Sequence, residues 1–241
     1  MTPGIFITGT HTGVGKTLVA AAWTSALARA GYRVVGLKPV ASGSTRDAAG
    51  NLRNSDALAL QAASSVRLPY DTVNPYCFEP PIAPHLAAEE AGQVIAVDSL
   101  VEWYGRATAD ADIAIIEGAG GWRVPLHPVG FLSDLPEQLG LPAVLVVGLT
   151  LGCLNHARLT VESIQHAGRA PFLGWVGNRI DPGFGRLEAN LQTLEHLLGG
   201  PPLALIPPVG PIADPAAVAE FFAGPLVRAA VAPLLGAVRP G

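Results

Sequence analysis

Charge is scarce in this chain. Only 14% of its 241 residues are Asp, Glu, Lys or Arg, against 49% apolar, and the formal net charge is −4. That balance excludes a disordered chain and a coiled coil. Without a basic excess there is no electrostatic footprint for nucleic acid. Lysine is scarcer still. Of the 15 basic residues all are Arg except Lys16 and Lys38. Where Arg supplies the surface charge, two isolated lysines mark positions that ask for a compact ammonium rather than a planar guanidinium. Cysteine is limited to Cys77 and Cys153, far apart in sequence; free thiols in a cytoplasmic protein are expected rather than a disulfide. Long apolar runs are absent too, none reaching the roughly 18 residues of a membrane span. The stretch after Pro215 comes nearest and is broken by Glu220, Pro225, Arg228 and Pro233. The N-terminus shows no basic leader and no cleavage site. A cytoplasmic protein with no membrane and no nucleic acid among its partners is therefore expected.

What is present begins at Gly9-Thr10-His11-Thr12-Gly13-Val14-Gly15-Lys16-Thr17, between the apolar run Gly4–Thr8 and a helix-like run from Leu18 to Ala30. Strand, glycine-rich turn and helix in that order is the setting of a phosphate-binding loop. Backbone N–H groups point into such a turn, and the helix N-terminus adds partial positive charge. Lys16 reaches outer phosphates, and the Thr17 hydroxyl suits Mg²⁺. Five residues, not the usual four, separate Gly9 from Gly15-Lys16-Thr17.

The length predicts a single domain over 1–241. Buried-strand patterns recur at 33–37, 113–116, 143–148, 172–176 and 203–206. Helical spacing recurs from Ser55, over 86–91 and 99–109, from about Asn155 to His166, and over 186–198. This alternation predicts an α/β fold: a doubly wound, mostly parallel sheet with helices on both faces, as in P-loop NTPases. Residues 69–84 carry five prolines and read as a long irregular loop of the kind that lines sites. Ligands of such sheets sit at the carboxyl ends of strands, where Lys38, Glu117, Asn155 and Asn178 also fall. Glu117, followed by Gly118-Ala119-Gly120-Gly121, is placed as the acidic partner of the phosphate loop and a Mg²⁺ ligand. Lys38 would face the phosphates and offset charge that develops during transfer. Asp56 reads equally well as a helix-start residue or a ligand. None of the six histidines shows metal-ligand spacing.

Several segments together resemble the dethiobiotin synthetase family. They are the five-residue loop spacing, Lys38-Pro39-Val40-Ala41-Ser42-Gly43, Asn54–Leu58, Thr72–Tyr76, Glu117–Trp122 and Leu151-Gly152-Cys153-Leu154-Asn155-His156, and the likeness runs from residue 4 to about residue 210. The resemblance implies an ATP- and Mg²⁺-dependent ligase that closes a cyclic urea on 7,8-diaminopelargonic acid. CO₂ adds to one amine, the carbamate takes the γ-phosphoryl group, and the second amine displaces phosphate. It implies Lys16 and Lys38 as catalytic groups, and Thr17, Asp56 and Glu117 as metal ligands. For the nucleotide it implies Gly13, Val14, Gly15, Leu18, Gly118, Ala119 and Gly120 at the phosphates. Asn178, Arg179, Pro207, Pro208, Val209 and Asp214 would lie near the base and ribose. Thr12, Ser42 and Asn155 would contact the diamine, Asn155 across a homodimer with shared sites. Where the family often carries an acid this chain has His11, Gly13 and Arg179, so looser base selectivity is expected. The rival reading is a partition or septum-placing ATPase switch. It would need a second lysine early in the loop, where position 11 is His, and a basic amphipathic helix at the C-terminus.

Overall fold

Gly4–Gly9 (β1) reads Gly-Ile-Phe-Ile-Thr-Gly, and every residue of it is buried. A strand that buries both faces must be covered by helices on both sides. In the computed structural model, which describes residues 1–208 and 215–236, five more strands join it. They are β2 (Val34–Leu37), β3 (Ile113–Glu117), β4 (Ala143–Gly148), β5 (Phe172–Asn178) and β6 (Ala204–Ile206). All pair in parallel, in the order β6-β5-β4-β1-β3-β2. From β1 the chain runs out to the edge strand β2, returns to β3 beside β1, then crosses to β4 on the other side of β1 and winds outward through β5 and β6. The crevice beside β1 is thus the switch point where such folds hold ligands.

Alternation along the strands assigns the two faces. Ile5, Ile7, Val34, Ile113, Ile115, Val144, Val146 and Val176 share one core with α1 (Lys16–Arg29). Phe6, Val35, Leu37, Ala114 and Ile116 lie on the other face. There they meet Leu100, Trp103 and Tyr104 from the helix Val97–Ala107. Leu145, Val147 and Trp175 continue that second face under Cys153–Ala167 and Leu187–Leu198. We number the remaining long helices α2 (Ser55–Ala63), α3 (Val97–Ala107), α4 (Cys153–Ala167), α5 (Leu187–Leu198) and α6 (Pro225–Leu235).

The doubly wound parallel sheet expected from the sequence is the observed fold. Three local readings change. Helix α4 begins at Cys153, two residues early, because Gly152 takes a left-handed conformation (φ 96°) and serves as the N-cap. Asn155 therefore sits inside the first turn. The proline-rich loop contains a one-turn helix, Tyr70–Val73, and a two-residue strand, Tyr76–Cys77, parallel to Val40–Ala41. Both are held by side-chain hydrogen bonds that no periodicity reveals. The helix Asp134–Leu139 and the hairpins 45–53 and 125–131 are too short to give a periodic signal. Among the described residues no single helix is long and apolar enough to cross a membrane.

Candidate active site

The alternation that builds the core also aims the polar groups. Glu117 follows Ile113 and Ile115 in phase, so it projects toward α1. Lys38 follows Val34 in phase on the neighbouring strand, one step beyond the pair Leu37–Ile116. The two side chains consequently lie side by side at the sheet's carboxyl edge, with Lys38 Nζ 2.7 Å from Glu117 Oε1. Thr17, at the second position of α1, donates to the same oxygen at 2.9 Å. Asp56 enters from the second residue of α2, with its Oδ2 3.0 Å from Lys38 Nζ. Lys38 also donates to Gly118 O at 3.2 Å.

Lys38 and Glu117 are almost wholly buried. Burial alone would strip the Lys38 proton, but the two carboxylates outweigh it and hold the lysine above its ordinary pKa. Burial, with the Asp56 charge behind it, pushes Glu117 up against the pull of Lys38. For Asp56, burial opposes ionisation, and Lys38 with Thr17 more than offsets it, leaving the carboxyl below the usual range. Lys16 is different. Burial first, and then the Lys38 charge, lower it to about 8. Its ammonium donates to the His11 carbonyl at 3.0 Å.

These groups open on a cleft of about 940 Å³. Of the residues singled out from sequence, Thr12, Gly13, Gly15, Lys16, Thr17, Lys38, Ser42, Asp56, Glu117, Ala119 and Gly120 line it. Val14 is fully buried and does not line the cleft. Gly118 contributes its carbonyl, and Leu18, Asn155, Asn178, Arg179, Pro207 and Pro208 lie off the cleft wall. Val209 and Asp214 fall outside the described residues. Sequence reasoning missed Pro81, Ile82, Ala83 and Pro84 individually, although the proline-rich loop to which they belong was expected to line a site. Val124 and Pro125 had no signal. The His11 ring meets the ring of His156, on α4, edge-on at 5.8 Å between centroids, and its Nδ1 lies 3.0 Å from Thr10 Oγ1. The start of α4 thus abuts the phosphate loop.

Comparison with known proteins now bears on this arrangement. A family model described as an AAA domain matches residues 3–216. The ATP-dependent dethiobiotin synthetase of Chromohalobacter salexigens is 50% identical over 84% of this chain and 88% of its own length. That of Cellvibrio japonicus is 46% identical over 93% of this chain and 97% of its own. This chain belongs to the dethiobiotin synthetase family. Solved structures of other families share its fold. The septum site-determining protein MinD of Pyrococcus horikoshii, complexed with Mg-ADP, superposes with a TM-score of 0.58 at 18% identity, covering 98% of this chain and 95% of that one. A ParA family ATPase of Chlorobium tepidum gives 0.52 at 16%, covering 97% and 94%. At that identity the likeness is one of fold alone.

A dethiobiotin synthetase uses ATP and Mg²⁺, and the residues here fit the metal. Thr17, Asp56 and Glu117 offer hard oxygen donors, and Glu117 Oε2 is buried without a hydrogen-bond partner among the described residues. Asn178 follows Val176 in phase and so also points toward α1. Its Nδ2 donates to Val14 O at 2.9 Å, while its Oδ1, also buried, has no partner among the described residues. The Arg179 N–H donates to Ile206 O at 3.1 Å, which brings Asn178, Arg179, Pro207 and Pro208 together at the ends of β5 and β6.

The lowered Lys16 makes a pH prediction for ATP binding. Phosphates favour the charged ammonium, so binding above about pH 8 must take up a proton. Nucleotide affinity should hold up to that pH and then fall about tenfold per unit. Calorimetry from pH 7 to 9.5, in buffers of different ionisation enthalpy, reads both the slope and the proton; a flat profile contradicts the assignment.

Proposed function

We propose that this chain catalyses ATP- and Mg²⁺-dependent carboxylation and ring closure of 7,8-diaminopelargonic acid to dethiobiotin. The observation that carries the chemistry is the pair of lysines, the only two in the chain, facing one cleft beside the acid pair Asp56–Glu117. A carbamate oxygen must approach the γ-phosphorus of ATP, anion against anion. Lys16 and Lys38 offset that repulsion where the two meet. Thr17, Asp56 and Glu117 would hold Mg²⁺, which would supply further charge neutralisation at the phosphates. The phosphate loop backbone from Gly13 to Leu18, with Gly118, Ala119 and Gly120, cradles the phosphates. After ADP leaves, the second amine attacks the carbonyl carbon, phosphate departs and the urea ring closes. Thr12 and Ser42 stand on the cleft wall to orient the diamine. The test is dependence of ADP release on both diamine and bicarbonate. Hydrolysis that needs neither would point instead to a nucleotide switch.

Asn178 Oδ1 is an acceptor suited to an exocyclic amine, with Arg179, Pro207, Pro208, Val209 and Asp214 around the base and ribose. A guanidinium only donates, so Arg179 adds nothing to adenine's amino group. ATP should be preferred to CTP only weakly, and Arg179→Asp should raise the kcat/KM ratio about tenfold; wild-type rejection of CTP by several orders of magnitude removes Arg179 from base recognition.

We also place the enzyme in the cytoplasm as one domain acting as a homodimer. Free Cys77 and Cys153 suit a reducing compartment. Val227 and Val231 of α6 enter the same core as β1 and α1, which supports a single domain. For the dimer, the exposed start of α4 is the supporting feature. Leu151 is 96% exposed, and Asn155 is exposed and does not line the cleft of its own chain.

A further inference from the structure

Lys38 and Asp56 arrive from different segments, yet both are anchored to one buried turn. The Lys38 N–H donates to Val73 O at 2.9 Å, and its carbonyl accepts from Asn74 Nδ2 at 2.7 Å. Both peptide groups of the lysine are therefore fixed by residues 73 and 74. Asp56 depends on Asn54, whose Oδ1 accepts from the N–H groups of Asp56 and Ala57 and so caps α2. Tyr70 joins these two anchors. Its hydroxyl accepts from the Asn54 N–H at 2.7 Å and donates to Asn74 Oδ1 at 3.1 Å. The turn is itself pinned from outside, where Trp103 Nε1 donates to Thr72 O at 2.7 Å. Tyr70, Asn74 and Asn54 are all buried, and Tyr70 does not line the cleft.

We propose that Tyr70 is a positioning residue for phosphoryl transfer: its hydroxyl locks the Lys38 segment to the start of α2 and so sets the Lys38 ammonium against the Asp56 carboxylate. The proposal rests on the reading that these two groups serve the transferring phosphate. One hydroxyl, accepting from the Asn54 N–H and donating to Asn74 Oδ1, with Cys77 Sγ a third contact at 3.5 Å, fixes the spacing of two charges on separate segments. Without it the Asn54 N–H has no buried acceptor and Asn74 loses its donor, so the two segments can shift independently. Small displacements of transition-state groups cost rate steeply, whereas phosphate binding by the loop after β1 is untouched.

The test compares Tyr70→Phe with Tyr104→Phe. The Tyr104 hydroxyl donates to Thr2 O at 2.9 Å, at the far end of β1 from the phosphate loop. Tyr70→Phe removes a hydroxyl that bonds Asn54 N–H and Asn74 Oδ1, Tyr104→Phe one that bonds Thr2 O, and each variant is expected to melt at lower temperature. Only Tyr70→Phe should lower kcat at saturating ATP and diamine, by about tenfold. It should also weaken Mn²⁺ binding to the ADP complex about fivefold while leaving ADP affinity without metal within about twofold. Wild-type turnover, measured alongside, tests the reaction itself, and the Mn²⁺ titration reads the clamp without reference to turnover. Should Tyr70→Phe not fold, Asn74→Ser, which removes the amide that accepts from the Tyr70 hydroxyl and donates to the Lys38 carbonyl, is read in the same way. Unchanged kcat and Mn²⁺ affinity in the clamp variant overturn the proposal, as does an equal loss in Tyr104→Phe.

Discussion

Lys38→Ala should lower kcat by about 10²-fold or more, the loss expected when one charge contact to a transition state is removed, or about 2.7 kcal/mol. Nucleotide affinity should change far less, because the phosphate loop and Lys16 lie between β1 and the start of α1 while Lys38 follows β2. The same variant makes a second, independent prediction. Lys38 is the counter-ion of a carboxylate pair, 2.7 Å from buried Glu117 and 3.0 Å from half-buried Asp56. Removing it leaves two negative charges that attract a divalent cation more strongly. Mn²⁺ affinity for the ADP complex should therefore rise as turnover collapses, a combination that general unfolding does not produce. Calorimetry for ADP and Mn²⁺, with single-turnover phosphate release, reads all three quantities. A variant that loses nucleotide binding but turns over normally at saturation sinks the assignment.

How far the sequence foretold this site depends on the distance over which each part is determined. The phosphate loop, the strands and the doubly wound fold class were legible because local pattern fixes them: a glycine-bearing turn between a strand and a helix, and runs of apolar residues long enough to count. Glu117 was legible for the same reason, as a polar residue at the end of Ile113–Ile116. That Lys38 touches Glu117 was not, since nothing local states that β2 and β3 are neighbours; it follows from strand order and from the phase of Val34 and Ile115. Asp56 was undecided between a helix-start role and a ligand role. Asn54 makes the cap, which leaves the Asp56 carboxylate free for Lys38. Tyr70 gave no signal at all, because its role lies in hydrogen bonds to Asn54 and Asn74 and not in any motif chemistry. Resemblance added what pattern could not, namely the substrate and the roles of Thr12, Ser42 and Asn155.

Asn155 leads to the last expected result. Lys16→Ala and Asn155→Ala, each nearly inactive at subsaturating diamine, should recover about a quarter of wild-type activity when unfolded and refolded together in equal amounts. The structure sharpens the reason. A local role as N-cap is excluded, since Gly152 holds that position and Asn155 lies within the first turn of α4. A role in its own cleft finds no support, since Asn155 does not line it. Yet the next residue, His156, packs against His11 of the phosphate loop, so Asn155 stands beside a cleft mouth with its side chain exposed. A helix N-terminus offers unpaired N–H groups and a positive dipole end, which suit a substrate carboxylate. In a two-fold dimer such a contact is reciprocal. A mixed dimer then concentrates both defects in one site and leaves the other intact. Random pairing makes half the dimers mixed, and half of their sites work, giving the quarter. If Asn155 serves its own chain, or the chain acts as a monomer, every site keeps one defect and the refolded mixture stays as inactive as its parts.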